Sequence, residues 1–275
     1  MNISEWLIDA TKQLKDIGIG SPRLDAELIL AETLRKPRTH LHANLETEID
    51  PRRIDIADAR LRLRLERVPL AYILGHKEFY GRDFRVTPDV LVPRPESEAI
   101  ITTMLEISAG DISGNRSLLD VGTGSGCIGI TIKLERPDIS VTLSDICHLA
   151  LTVAEKNADI LGAKVQVKQQ DLLKGQIGRL DYIIANLPYV DRDWQVSPEL
   201  QHEPQGALFA DNGGLALIYT LLEQTPLHLN DCGWVMLEAD PEQHPLIVKA
   251  AAKCGFTHET TNDYCLALRL VSAQS

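Results

Sequence analysis

Leu118-Leu119-Asp120-Val121-Gly122-Thr123-Gly124-Ser125-Gly126 is an apolar run that breaks into alternating glycines and opens directly onto Cys127-Ile128-Gly129-Ile130. A strand that ends in closely spaced glycines before a helix lets a ligand approach both the backbone and the helix N-terminus. Gly124-x-Gly126-x-x-Gly129 satisfies the dinucleotide-loop spacing, and Asp145 follows at about 20 residues, where a ribose-binding carboxylate belongs. The loop fits two ligand classes, a nicotinamide or flavin dinucleotide and S-adenosylmethionine. Asp120, at the strand end before the loop, favours the second, because a carboxylate attracts a sulfonium and an amino group but repels a pyrophosphate. Asp171, at the end of a later strand, adds another acid suited to a cationic ligand.

Outward from the loop, strands and helices alternate. Strands are predicted at Ser117–Val121, Ser140–Ser144, Lys164–Lys168, Leu180–Ala185 and Gly233–Glu238, with helices at Cys127–Glu135, His148–Leu161 and Gly214–Gln224. This alternation specifies an α/β fold, a parallel sheet covered by helices on both faces. Phe256–Thr260 and Tyr264–Leu270, separated by Thr261-Asn262-Asp263, read as an antiparallel hairpin at the sheet edge.

Asp181-Tyr182-Ile183-Ile184-Ala185 runs into Asn186-Leu187-Pro188-Tyr189, at the sheet edge where open α/β folds bind ligands. These residues suit methylation of a planar nitrogen, whose delocalised lone pair makes it a poor nucleophile. The Asn186 side-chain oxygen and a backbone carbonyl can take its two N–H bonds and aim the lone pair, while Tyr189 packs on the flat group. A glutamine amide and the exocyclic amine of DNA adenine or rRNA guanine are both such nitrogens. A dinucleotide-dependent oxidoreductase would leave Asn186–Tyr189 without a task.

The rest of the chain is different in kind. Residues 1–70 read as helices: Ser4 caps the first, with Trp6, Leu7, Ala10 and Leu14 on one face, and Pro22 and Pro51 open two more. The last of these carries Arg52, Arg53, Arg60, Arg62, Arg64 and Arg67, which reads as a solvated face or as a docking surface for an acidic or RNA-bearing partner. Residues 71–95 read as a hairpin linker, with short β-type runs at Tyr72-Ile73-Leu74-Gly75, Glu78-Phe79-Tyr80-Gly81 and Asp83-Phe84-Arg85-Val86. The third region, residues 96–275, holds the alternating strands and helices.

The 275 residues carry 28 Lys and Arg against 39 Asp and Glu, a net charge of −11 that disfavours phosphate neutralisation and hence a nucleic-acid coat. A hydrophobic content of 44% with 24% charged residues describes a folded, soluble chain. No apolar stretch approaches the ~20 residues of a membrane span, and Met1–Ala10 lacks the basic start of a secretory signal. The five cysteines are scattered without a Cys-x-x-Cys pair and no His-Glu-x-x-His occurs, so reduced thiols, no metal site and a cytoplasmic location are expected.

From about residue 5 to the C-terminus the chain resembles the HemK/PrmC-type release-factor glutamine methyltransferases. The resemblance rests on Asn186–Tyr189 and on two linker blocks, Pro69-Leu70-Ala71-Tyr72-Ile73-Leu74-Gly75 with Glu78-Phe79-Tyr80-Gly81, and Val92-Pro93-Arg94-Pro95-Glu96-Ser97-Glu98. It implies a class I S-adenosylmethionine-dependent methyltransferase domain behind a helical domain that recognises the substrate protein. The implied reaction methylates the glutamine of the Gly-Gly-Gln tripeptide of peptide chain release factors to N5-methylglutamine. The enzyme is expected to be a monomer that binds neither nucleic acid nor membrane. By position, Gly122, Thr123, Gly124, Ser125 and Gly126 line the methionine part of the cofactor, Asp145 binds the ribose, and Asn186, Leu187, Pro188 and Tyr189 hold the glutamine amide. Asp120, Asp171 and Leu172 complete the expected cofactor site. Two positions depart from the family pattern: Leu187 replaces the first proline of Asn-Pro-Pro-Tyr, and Leu172 replaces an aromatic that often flanks adenine.

Overall fold

A computed structural model describes residues 1–110, 116–262 and 264–271. The chain forms two compact units, Met1–His76 with Val196–His202, and Lys77–Gln195 with Glu203–Ser275. Of residues 71–95, read as a hairpin linker, 71–76 fall in the first unit and 77–95 in the second, and a short segment beyond Tyr189 belongs with the first.

The first unit contains helices α1 (Ile3–Asp16), α2 (Pro22–Leu34), α3 (Arg38–Ala43), α4 (Pro51–Leu65) and α5 (Leu70–Leu74). Asn2, not Ser4, caps α1: its side chain accepts from the Glu5 amide while Glu5 accepts from the Asn2 amide, a reciprocal box that a cap two residues later would lose. Trp6, Leu7, Ala10 and Leu14 pack on Ile29, Leu30, Ala57 and Leu61 in the core. Tyr72–Gly75 is not a β-run. Pro69 fixes the start of a short helix, and Gly75, at φ 82°, ends it.

The arginines of α4 are largely committed within the first unit. Arg64, 8% exposed, donates to Asp25 at 2.8 Å, and Arg64 and Arg67 both reach Glu199. Arg53 and Arg60 bond the Thr33 carbonyl and hydroxyl. Of the six arginines, Arg67 lying just past the end of α4, only Arg52 and Arg62 are exposed, so this stretch is neither an open docking face nor a purely solvated one. The i, i+4 pattern shows the charges but not the long-range carboxylates that receive them.

The second unit opens with a hairpin, β1 (His76–Phe79) and β2 (Arg82–Arg85), whose Phe79 and Phe84 pack edge to face with ring centres 6.1 Å apart. A larger sheet contains β3 (Ser117–Val121), β4 (Ser140–Asp145), β5 (Gln166–Gln169), β6 (Leu180–Ala185), β7 (Leu229–Glu238), β8 (Phe256–Asn262) and β9 (Cys265–Leu270). Their order is β5-β4-β3-β6-β7-β9-β8, parallel from β5 through β7 and antiparallel at β9 and β8. This is the class I methyltransferase architecture expected from the sequence. The final hairpin is present; Asp263 in its connection lies outside the described residues.

Alternate strand residues feed two cores, the period-2 consequence of burying both faces. Leu118, Tyr182, Ile184 and Met236 pack with α6 (Glu98–Ser108), α7 (Cys127–Glu135) and α8 (His148–Leu161). Leu119, Ile183, Val235 and Leu237 pack on α10 (Ala216–His228) and α11 (His244–Lys253), which follow a single-turn α9 (Gln205–Leu208). Helices α6 and α11 were not anticipated. The strand order reverses at β3, between β4 and β6, and the helices that follow β3 and β6, α7 and α10, cover opposite faces of the sheet. Among the described residues no helix is long and apolar enough to cross a membrane, and no cluster of three His, Cys, Asp or Glu could hold a metal.

Candidate active site

At that switch point lies a cavity of about 460 Å³, a volume typical of small-molecule sites. Its wall includes Gly122–Ser125 after β3, Asp145 after β4, Gln170–Leu172 after β5 and Asn186–Pro188 after β6, with Val92–Arg94 and Ser97 opposite. Ten of the expected residues thus share one cavity: Gly122, Thr123, Gly124, Ser125, Asp145, Asp171, Leu172, Asn186, Leu187 and Pro188. Asp120, Gly126 and Tyr189 are not on its wall.

The glycine loop is held by its own backbone and by two acids. Gly122 and Thr123 both donate to the Ser144 carbonyl at 2.9 Å, tying the loop to the neighbouring strand. Gly122 has φ 71°, and a Cβ there would sit 3.0 Å from Leu187 Cδ2, so the residue lets the two ligand loops touch. A Cβ at Gly129 would come within 2.4 Å of Leu143 and 2.8 Å of Asp120 Oδ2, which explains the last glycine of the spacing as helix-to-strand packing.

Asp120 corrects one expectation. It is 1% exposed and lies beneath the loop, where Oδ2 accepts from the Thr123 hydroxyl at 2.6 Å and the Gly129 amide at 3.0 Å. Burial, helped by the charge of Asp145, raises its carboxyl to about 6 against the pull of those two bonds. Asp120 supports the loop and contributes negative potential from below. Asp145 accepts from the Gly124 amide at 3.0 Å and the Cys147 amide at 2.8 Å while remaining on the cavity wall, so each oxygen keeps a lone pair for a hydroxyl. Asp171 is also on the wall, ion-paired to Lys174.

Sequence reasoning missed Gln170. Its Nε2 donates to the Leu172 carbonyl at 2.7 Å and holds Leu172 at φ 49°, a backbone that a leucine seldom adopts. Gln170 is on the cavity wall, and its Oε1 is buried with no hydrogen-bond partner among the described residues. A buried acceptor without a donor fits a ligand that supplies one. Together with the open loop and Asp145, this fits S-adenosylmethionine, whose adenine and ribose offer N–H and O–H donors.

Asn186 is fixed from behind. Its Nδ2 donates to Ser97 Oγ at 3.0 Å and to Glu238 Oε2 at 2.9 Å, while Oδ1 and the Leu187 carbonyl receive no donor among the described residues. Tyr189 was expected to pack on the substrate group. Its hydroxyl donates to Glu238 Oε1 at 3.0 Å, and its carbonyl accepts from Gln243 Nε2 at 2.8 Å. Burial, then the Glu238 charge, pushes the phenol above its usual range. Glu238, 2% exposed at the end of β7, has its own carboxyl raised above 4.5 by burial, against the bonds from Ser97, Tyr189 and Asn186. Ser97, Glu238 and Gln243 were not identified from the sequence, although Glu238 repeats the acid-at-strand-end pattern of Asp120 and Asp145.

Residues 5–75 match the PrmC N-terminal domain, and residues 97–229 match the methyltransferase small domain. A release factor glutamine methyltransferase of Koribacter versatilis is 39% identical over 254 residues, covering 88% of this chain and 89% of that protein. The chain belongs to the release factor glutamine methyltransferase family. A second family member, from Coxiella burnetii, is 34% identical over 265 residues, 94% of this chain and 91% of that protein. The wider fold is shared with the catalytic domain of hMettl16, solved with MAT2A 3'UTR hairpin 6, at TM-score 0.55 and 16% identity over 78% of this chain and 83% of that one. It is shared too with the T. thermophilus 16S rRNA N2 G1207 methyltransferase RsmC, solved with AdoMet and guanosine, at TM-score 0.51 and 19% identity over 71% and 49% of the two chains. Family membership makes the dinucleotide-oxidoreductase reading of the glycine loop unnecessary.

Proposed function

We propose that this chain transfers a methyl group from S-adenosylmethionine to the side-chain amide nitrogen of the glutamine in the Gly-Gly-Gln tripeptide of peptide chain release factors, giving N5-methylglutamine. The observation that carries the reading is the pair of donorless acceptors at one cavity edge, Asn186 Oδ1 and the Leu187 carbonyl. A primary amide offers two N–H donors in one plane. Two acceptors placed to take both fix that plane and leave the lone pair pointing out of it. When bound, S-adenosylmethionine supplies an electrophilic methyl group on a sulfonium.

Gly122–Ser125, Asp145, Gln170, Asp171 and Leu172 are the residues that would hold it, and the acidic wall suits its positive charge. As the nitrogen gains a bond to carbon it becomes more acidic. Asn186 Oδ1 and the Leu187 carbonyl then hold its two protons more strongly, which favours the transition state over the ground state. One of these protons must leave to water to restore a neutral amide. No strong base is required of the protein. The helical first unit binds the release factor outside its tripeptide, since three residues offer little area for specificity.

Mass spectrometry of a release factor incubated with the chain and S-adenosylmethionine tests the proposal. A gain of one methyl group on the Gly-Gly-Gln glutamine is expected. Methylation at another residue, or of nucleic acid in preference to the factor, would refute it.

A further inference from the structure

Two donors converge on one buried carboxylate behind Asn186. Glu238 Oε2 accepts from Asn186 Nδ2 at 2.9 Å and Oε1 from the Tyr189 hydroxyl at 3.0 Å. Ser97 Oγ in turn accepts the other Asn186 Nδ2 proton at 3.0 Å. A primary amide has two donor protons and one acceptor oxygen, and the two ends have nearly the same shape. Which end faces the cavity is settled by what lies on the other side. A carboxylate can only accept, so it binds the NH2 end and turns Oδ1 outward.

We propose that Glu238 is a positioning residue that sets the polarity of the site, forcing Asn186 to present an acceptor and so selecting a substrate that donates N–H. The inference rests on the reading that Asn186 Oδ1 meets the substrate amide. Glu238 itself touches no substrate, as it is 2% exposed and absent from the cavity wall. Its neutral isostere behaves differently. In Glu238→Gln a single oxygen is left to accept, and Asn186 Nδ2 and the Tyr189 hydroxyl compete for it, so the Asn186 amide is no longer held with Oδ1 toward the cavity.

The test is a double-mutant cycle in the full chain with Glu238→Gln, Asn186→Ala and their combination. Glu238→Gln is expected to lower kcat about 100-fold while affinity for S-adenosylhomocysteine, measured by calorimetry, stays within about threefold. In the Asn186→Ala background the same change is expected to cost less than about threefold, because the group through which Glu238 acts is already gone. Losses that multiply in the double variant, or a Glu238→Gln enzyme with near wild-type turnover, would overturn the proposal. If Glu238→Gln does not fold, Ser97→Ala removes the second acceptor for Asn186 and enters the same cycle with the same criteria. A readout without substrate separates this inference from the proposed reaction. The side-chain amide 1H–15N signals of Asn186 should exchange slowly in the wild type and lose that protection in Glu238→Gln. Protection unchanged by the substitution refutes the polarity lock; protection that the substitution removes, in a protein whose wild type methylates no release factor, refutes the reaction and not the lock.

Discussion

Replacing Asp120 by asparagine should stabilise the methyltransferase unit at neutral pH while weakening its hold on the cofactor. The folded protein raises this carboxyl from 3.8 to about 6, chiefly by burial at 1% exposure. A group that binds its proton more tightly when folded contributes its stability below the unfolded value, and loses it as pH rises through the folded one. Between pH 3.8 and 6 the wild type therefore forfeits roughly 3 kcal/mol that the uncharged variant does not. Asparagine keeps an acceptor for the Gly129 amide and the Thr123 hydroxyl but adds an NH2 group that needs a partner, an offset of about 1–3 kcal/mol that does not vary with pH. The informative quantity is the stability difference between variant and wild type. It should move in favour of the variant by roughly 3 kcal/mol from pH 4 to pH 8, or about 6–12 °C in Tm for a unit of this size. Urea unfolding across that range, followed by tryptophan fluorescence, measures it. Calorimetry at pH 8 should show weaker S-adenosylhomocysteine and S-adenosylmethionine binding, with the larger loss for the cation. A difference that stays flat with pH would refute the burial argument, and unchanged affinity would refute the contribution of Asp120 to the cavity's potential.

Gly122→Ala places a methyl group 3.0 Å from Leu187 Cδ2 at a φ of 71°. It should cost about 1–2 kcal/mol in a thermal melt and weaken cofactor binding in calorimetry. Leu187→Pro removes an amide that donates to no group among the described residues. Steady-state kinetics should show kcat changed by less than about tenfold, a ~1.4 kcal/mol effect, because the carbonyl remains. Glu238 must be ionised to hold Asn186, and its carboxyl lies above 4.5, so kcat should fall on acidification with an apparent pKa above that value. Glu96, Arg94, Tyr189, Cys127 and Cys265 also face this region, so the assignment requires that the acid limb disappear in Glu238→Gln.

The central fold was legible because its signals are local. Ser117–Val121, Leu180–Ala185, Cys127–Glu135 and His148–Leu161 occur at the expected bounds, since apolar runs, a glycine break and a cap each act within a few residues. Edge strand β5, expected at Lys164–Lys168, forms at Gln166–Gln169, where one neighbour rather than two fixes the register. Tyr72–Leu74 reads as β from Tyr and Ile but folds as a turn of helix, because Pro69 and Gly75 bracket a segment too short to pair. Arg64 looked like a surface cation because its partners Asp25 and Glu199 lie 39 and 135 residues away.

The site divides along the same line. The residues expected to touch ligand come from contiguous motifs, and Gly122–Ser125, Asp145 and Asn186–Pro188 share one cavity. What orients them came from elsewhere in the chain. Ser97 is 89 residues from Asn186, and Glu238 is 52. Neither distance leaves a trace in any local pattern. This also explains why the two departures from the family pattern act differently. Leu187 keeps the backbone oxygen, the only atom the chemistry asks of it, and its side chain fills the space above Gly122. Leu172 stands where the family often has a ring, and its neighbour Gln170 bonds its carbonyl at φ 49° and carries a buried Oε1 without a partner among the described residues. Removing that acceptor should therefore cost more here than in a chain that stacks an aromatic on the adenine, which is the comparison that would decide whether the substitution is tolerated or compensated.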